Sequence, residues 1–247
     1  MRHRVAALAG LILATAGAAA PAHAQQRPVE PGRPFAGGAM LSDERLLTRW
    51  AYPRTAAAVH GAPMVRSTRV GRLRFRTEDG YPEVYVGLKT AVDSAGGQWV
   101  QVRLPKRPNG RRGWVPRAAL GNFRIVRHHL RINRRTLTAT LFDAGRQVWQ
   151  SRIGIGKRGT PTPRGTFYVR ELLRVSRRDT IYGPYAFGTS AYSVLSDWPN
   201  GGVVGIHGTN QPQLIPGRPS HGCVRVPNRA IRRLARLMPI GTPIHIL

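Results

Sequence analysis

The chain holds one cysteine, Cys223, and two histidines stand near it in sequence, His207 and His221. A thiol is a useful nucleophile only as thiolate, which requires a neighbouring base or positive charge. The histidines are not equivalent. His207 ends the apolar run Val203-Val204-Gly205-Ile206 and is separated from Cys223 by 15 residues, so a strand and a returning loop can set its ring beside the sulfur. His221 lies two residues before Cys223, poorly placed to reach the sulfur along an extended chain but able to buttress the turn. Gly222 allows a sharp turn before the thiol, which would aim the Gly222 and Cys223 amides at a developing oxyanion. Two blander readings compete. A lone cysteine in a soluble protein is usually an inert buried residue. Alternatively, His207, His221 and Cys223 could bind zinc with water as fourth ligand, since no Asp, Glu or second Cys lies close by in sequence. The polar neighbours Ser220, His221, Gly222 and Arg225 favour a reactive thiol over an inert one.

The elements that must carry these residues are mostly β. Val203 to Ile206 reads as a buried strand ending at His207. Upstream, from about Asn122, Leu137, Ala139 and Leu141 alternate, Asp143-Ala144-Gly145 turns the chain, and Val148, Trp149, Ile153 and Ile155 continue it as a hairpin. Pro161 to Gly165 breaks the pattern before Thr166-Phe167-Tyr168-Val169. One helix is evident: Ala230, Ile231, Leu234, Leu237 and Met238 share a face, Arg229, Arg232, Arg233 and Arg236 the other, and Pro227 and Pro239 bracket it. Those arginines read as a solvated face. Between Trp50 and Leu120, short segments at Leu73–Phe75, Val84–Leu88, Trp99–Leu104 and Gly113–Val115 are punctuated by Glu78-Asp79-Gly80, Ala95-Gly96-Gly97 and Pro108-Asn109-Gly110. A small β-barrel follows from that spacing, and Trp99-Val100-Gln101-Val102 with Gly113-Trp114-Val115 resembles bacterial SH3-like domains. Its His60 reads as a surface residue. We expect a signal peptide over 1–24, a linker over 25–48, an SH3-like unit over 49–121 and a catalytic unit over 122–247, with the 49–121 unit separable and without a part in chemistry.

His207-Gly208, a gap, then Ser220-His221-Gly222-Cys223-Val224-Arg225 resembles the signature of the L,D-transpeptidase catalytic domain, the YkuD-like family. Gly154-Ile155-Gly156-Lys157 and Thr160 to Phe167 are similar to the family's early hairpins, so the resemblance covers about 123–247. Gly183 to Asn200 is less familiar, and a loop over the site is expected there. The resemblance implies Cys223 as nucleophile, His207 as base and the Gly208 carbonyl as the group orienting His207. That suits the absence of any Asp or Glu within nine residues of His207, because an imidazole needs something to fix its tautomer. Ser220, His221 and Gly222 would support the turn and oxyanion, and the Arg225 fork would hold a substrate carboxylate. The activity implied is formation of peptidoglycan cross-links through a cysteine thioester on the stem tetrapeptide with release of D-alanine. No metal or organic cofactor is called for. The alternatives are L,D-carboxypeptidase trimming and a non-catalytic cationic wall-binding protein.

Composition bounds the setting. With 39 Lys and Arg against 11 Asp and Glu, the formal charge of the 247 residues is +28. Only Lys89, Lys106 and Lys157 are lysines, so the charge is arginine dispersed along the chain, which speaks against a nucleic-acid-binding tail and for an anionic partner such as the cell wall. Arg2 and Arg4, the apolar stretch Val5 to Ala20 and Ala22-His23-Ala24 form a secretory signal pattern, and the apolar run is short and Ala-rich for a membrane anchor. An exported protein, periplasmic or wall-associated and without a span in its mature form, is the expectation. A single cysteine rules out an intramolecular disulfide framework.

Overall fold

A computed structural model describes residues 38–175, 180–197 and 199–247; the expected signal peptide and the first part of the expected linker lie outside them. The chain is mostly β. Seven strands, β1 (Thr48–Ala51), β2 (Ala58–His60), β3 (Arg69–Arg72), β4 (Tyr85–Val92), β5 (Gln98–Arg103), β6 (Arg112–Pro116) and β7 (Arg124–Val126), form an antiparallel sheet in the order β3-β2-β6-β5-β4-β1-β7. Ten more follow: β8 (His128–Asn133), β9 (Thr138–Asp143), β10 (Arg146–Arg152), β11 (Gly154–Gly156), β12 (Gly165–Arg174), β13 (Tyr185–Tyr192), β14 (Val203–His207), β15 (Gly217–Ser220), β16 (Val224–Arg225) and β17 (Pro243–Ile246). They form a mixed sheet in the order β10-β9-β8-β17-β12-β13-β14-β16-β11-β15. The α-helix α1 (Asn228–Leu237) connects β16 to β17.

Local chemistry explains much of this. Ala144 and Gly145 both take positive φ, 47° and 82°, the two-residue turn that matches strand twist between β9 and β10. Pro227 precedes α1, Ile231 and Leu234 are wholly buried beneath it, and its four arginines face solvent. The core of the second sheet gathers Leu130, Leu141, Phe187, Ile206, Val224 and Ile244. β14 spans the strand read from sequence. The region from Gly183 onward, read as including a loop over the site, also supplies a strand, β13, between β12 and β14, and past its end Ser193 lies beside the turn at His221. Buried throughout its second half, β13 has no dry face and wet face, so it lacks the alternation that marks a strand in sequence.

The boundary between the two units also departs from expectation. β7 pairs with β1, so the first sheet continues past 121. Residues 40–48 are no linker: Leu41 lies in the first core, Ser42 Oγ donates to the Gly87 carbonyl at 2.5 Å, and Arg103 Nε reaches Glu44 Oε1 at 2.5 Å. His60 is not on the surface but buried edge-on against Trp99. A further apolar cluster, with Trp50, Val84, Val86 and Leu88 on one side and Tyr168 on the other, joins the two sheets.

Polar groups cross the same seam. Arg170 of β12, fully buried, pairs with both carboxylate oxygens of Glu83 and places Nη1 2.8 Å from Glu78 Oε2. The Tyr168 hydroxyl donates to the Val84 carbonyl at 3.0 Å, and Thr77 Oγ1 to Glu171 Oε2 at 2.5 Å. Burial opposes ionisation of Glu78, but Arg170, the Tyr192 hydroxyl and Arg74 outweigh it and hold the carboxyl at about 2. Glu171 goes the other way. Burial first, then the charge of Asp79, push it up to about 7, against the hydrogen bond from Thr77. The folded protein therefore keeps a proton on Glu171 that an unfolded carboxyl of ordinary pKa, about 4.3, has released. Stability from this group falls as pH rises between about 4.3 and 7. Glu171→Gln should gain thermal stability relative to wild type as pH increases from about 5 to 8; a difference in melting temperature that does not grow with pH would count against the buried protonated carboxyl.

Candidate active site

β14 and β16 run parallel, with Ile206 opposite Val224 and His207 opposite Arg225. One step back along that register sets Cys223 level with Gly205, and the Gly205 N–H points at Cys223 Sγ at 3.4 Å. Side chains two apart on a strand share a face, so thiol and imidazole emerge on the same side. Gly205 leaves the room between them: a methyl built there would lie 3.6 Å from His207 Cδ2 and 3.9 Å from Cys223 Sγ.

His207 is buried, and its Nδ1 lies 2.6 Å from the Gly208 carbonyl oxygen. A carbonyl cannot donate, so Nδ1 carries the hydrogen and Nε2 keeps its lone pair. Burial drives the ring down to about 4, with the charge of Arg225 adding to the effect and the Gly208 and Ile181 carbonyls opposing it. The imidazole is therefore neutral at neutral pH. Burial also pushes the Cys223 thiol up, against the Gly205 amide and Arg225, which favour the thiolate. The resting pair is a neutral thiol beside a neutral base. The Tyr182 ring stands edge-on to His207, centroids 5.0 Å apart.

The turn before the thiol is tied from several sides. Ser220 Oγ donates to the Cys223 carbonyl at 2.6 Å and accepts from the Gly222 N–H at 3.2 Å. Gly222 sits at φ 124°, where other residues are strained, and its carbonyl accepts from Thr162 Oγ1 at 2.8 Å. Ser193 Oγ donates to the His221 carbonyl at 2.9 Å. The expectation that the Gly222 amide faces an oxyanion is thus corrected: that N–H is directed at Ser220, the residue that braces the turn. Arg225 spends Nη1 on Gln211 Oε1 at 2.8 Å, while its buried Nε has no partner. Thr162 and Ser193 escaped the reading of the sequence. The Thr-Pro-Thr-Pro run was visible, but nothing in it said which hydroxyl would meet Gly222. Among the described residues no group of three His, Cys, Asp or Glu is arranged to hold a metal ion, so His207, His221 and Cys223 do not converge as the zinc reading required.

Gly205→Ala isolates the geometry. The added methyl meets only ordinary van der Waals contacts, the nearest at 3.5 Å, so the fold should tolerate it. Set between nucleophile and base, it should nevertheless cut the acylation rate on the order of 10²-fold, the scale of small misplacements at a reacting centre. Circular dichroism and acylation kinetics on one preparation check both halves; a wild-type rate in the folded variant would contradict the arrangement.

Residues 127–246, which hold this Cys–His pair, match the family model YkuD, the L,D-transpeptidase catalytic domain. Among curated proteins the chain is 37% identical over 115 residues to the YkuD protein of Bacillus licheniformis, covering 47% of this chain and 61% of the relative. Against the YkuD protein of Bacillus subtilis the identity is 32% over 121 residues, covering 49% and 66%. The chain thus spans a little under two thirds of the length of these relatives. Among solved structures it resembles an L,D-transpeptidase from Mycobacterium tuberculosis at 14% identity and TM-score 0.44, over 80% of this chain and 95% of that one.

Proposed function

We propose that this chain is an exported L,D-transpeptidase that joins peptidoglycan stem peptides through a thioester on Cys223. The observation that carries the reading is a thiol and a neutral, carbonyl-oriented imidazole on the same face of two paired strands. His207 Nε2 takes the thiol proton as Sγ attacks the carbonyl between an L-centred residue, diaminopimelate by the family resemblance, and the terminal D-alanine of a tetrapeptide stem. Collapse of the tetrahedral intermediate breaks the amide bond, and the leaving D-alanine amine takes the proton back from His207. An acceptor amine then attacks the thioester, loses its proton to His207 and releases the thiol, leaving a 3-3 cross-link. Water in place of the amine gives the carboxypeptidase outcome. With the Gly222 amide turned to Ser220, the Cys223 amide is left to support the oxyanion. The Arg225 guanidinium, which gives Nη1 to Gln211, serves with its remaining donors as the fork for a substrate carboxylate. Incubating the protein with a defined disaccharide tetrapeptide and resolving products by mass tests this: a cross-linked dimer less one D-alanine per bond supports it, and an unchanged tetrapeptide overturns it.

Residues 1–24 serve export, the SH3-like reading of 49–121 is supported by short antiparallel strands and tight turns, and arginines such as Arg229, Arg232, Arg233 and Arg236 face solvent. Among the described residues no helix is long and apolar enough to cross a membrane. The dispersed charge holds the protein on the anionic wall, and such attraction is screened as the Debye length falls to about 3 Å at 1 M salt. Sedimentation with isolated walls should therefore be strong in dilute buffer and lost at molar salt; pelleting indifferent to salt would sink the electrostatic account.

A further inference from the structure

Side chains of the first unit hold the backbone that adjoins the nucleophile turn. Arg107, in the loop between β5 and β6, donates from Nη2 to the carbonyls of Ser193 at 2.9 Å and Leu195 at 3.0 Å, and from Nη1 to the Gly201 carbonyl at 2.8 Å. Its guanidinium also lies over the Tyr192 ring, 4.8 Å from the centroid. Two residues on, Asn109 acts as a strand partner for the end of β13: Nδ2 donates to the Tyr192 carbonyl at 2.7 Å and Oδ1 accepts from the Tyr192 N–H at 2.9 Å. That end needs an outside partner. The β13–β14 ladder jumps from Gly188 opposite Gly205 to Tyr192 opposite Val203, so its register is irregular just where Ser193 begins. Ser193 in turn donates to the His221 carbonyl, two residues before the thiol.

We infer that Arg107 and Ser193 form a positioning relay by which the first unit sets the Ser220–Cys223 turn, Arg107 fixing the backbone of Ser193 and Ser193 fixing that of His221. Neither touches the reacting atoms. The relay rests on the reading of Cys223 as the reactive thiol, but not on the identity of its acyl donor. Its test therefore follows alkylation of Cys223 by iodoacetamide as well as D-alanine release, in Arg107→Ala, Arg107→Lys, Ser193→Ala and the Arg107→Ala/Ser193→Ala double variant of the full chain. Arg107→Ala and Ser193→Ala should each lower kcat for D-alanine release by up to about 10²-fold with little change in KM. Each should alter the pH profile of Cys223 alkylation, and the double variant should fall no further than the worse single, as for residues acting in series. Lysine at 107 replaces a three-contact fork by a point charge and should restore activity only in part. Fully additive losses, or an alkylation profile identical to wild type in folded Arg107→Ala, would overturn the relay. If wild type alkylates normally yet releases no D-alanine, the transpeptidase reading fails while the alkylation profiles still judge the relay.

Discussion

Cys223→Ala is expected to abolish D-alanine release and any covalent adduct with a carbapenem, the β-lactam class to which the family resemblance points. The variant removes one small, half-buried sulfur atom whose contact is the Gly205 amide, so the fold should survive. His207→Ala should slow acylation by about 10²–10⁴, the usual loss when a positioned base is removed. Because burial holds His207 near 4, the base stays unprotonated far into acid, and the wild-type acylation rate should fall only as pH drops through about 4. His221→Ala should be milder, since the contact that ties His221 to Ser193 runs through its main-chain oxygen. Wild-type turnover in Cys223→Ala would end the assignment, and greater damage from His221→Ala than from His207→Ala would exchange their roles.

Arg170→Ala should be the most destabilising single change outside the site. It leaves fully buried Glu83 with only Arg74, 3.5 Å from one oxygen, and takes from Glu78 the larger of the two positive charges that hold its carboxyl down. Breaking one partner out of a buried pair typically costs about 3–5 kcal/mol. Denaturant unfolding checks it, and a loss below about 1 kcal/mol would show the pair to be solvated. The same pair speaks against separability: a fragment of 122–247 keeps Arg170 but loses Glu83, Glu78 and the Val84 carbonyl that Tyr168 bonds. Such a fragment should be poorly folded, where the sequence alone suggested a stable one.

The site was more legible than the seam. Cys223 and His207 could be singled out because a lone thiol after a Ser-His-Gly turn stands out from any background, whereas the Gly208 carbonyl, 2.6 Å from His207 Nδ1, was pointed to only by the family resemblance. The strand ending at His207 and the helix with Ile231 and Leu234 beneath it were legible for a different reason: one is a pure apolar run, the other a clean helical stripe. Glu78-Asp79-Gly80 read as a turn, which it is, but turn chemistry says nothing of what its carboxylate will meet 92 residues on at Arg170. Leu41, Asn109 and Arg107 were hidden likewise, since their partners are backbone groups and packed surfaces distant in sequence. The Gly222 amide shows a subtler limit: the turn was foreseen, yet which way its N–H points depends on the Ser220 hydroxyl.

The central claim is that acyl transfer passes through a thioester on Cys223. Mixing the protein with a stoichiometric amount of disaccharide tetrapeptide, quenching in acid during the first turnover and mapping the peptide that contains Cys223 by mass addresses it directly. The account predicts a transient adduct there, heavier by the donor less D-alanine and removed by hydroxylamine. Consumption of the tetrapeptide while Cys223 stays fully open to alkylation at every time point would contradict it.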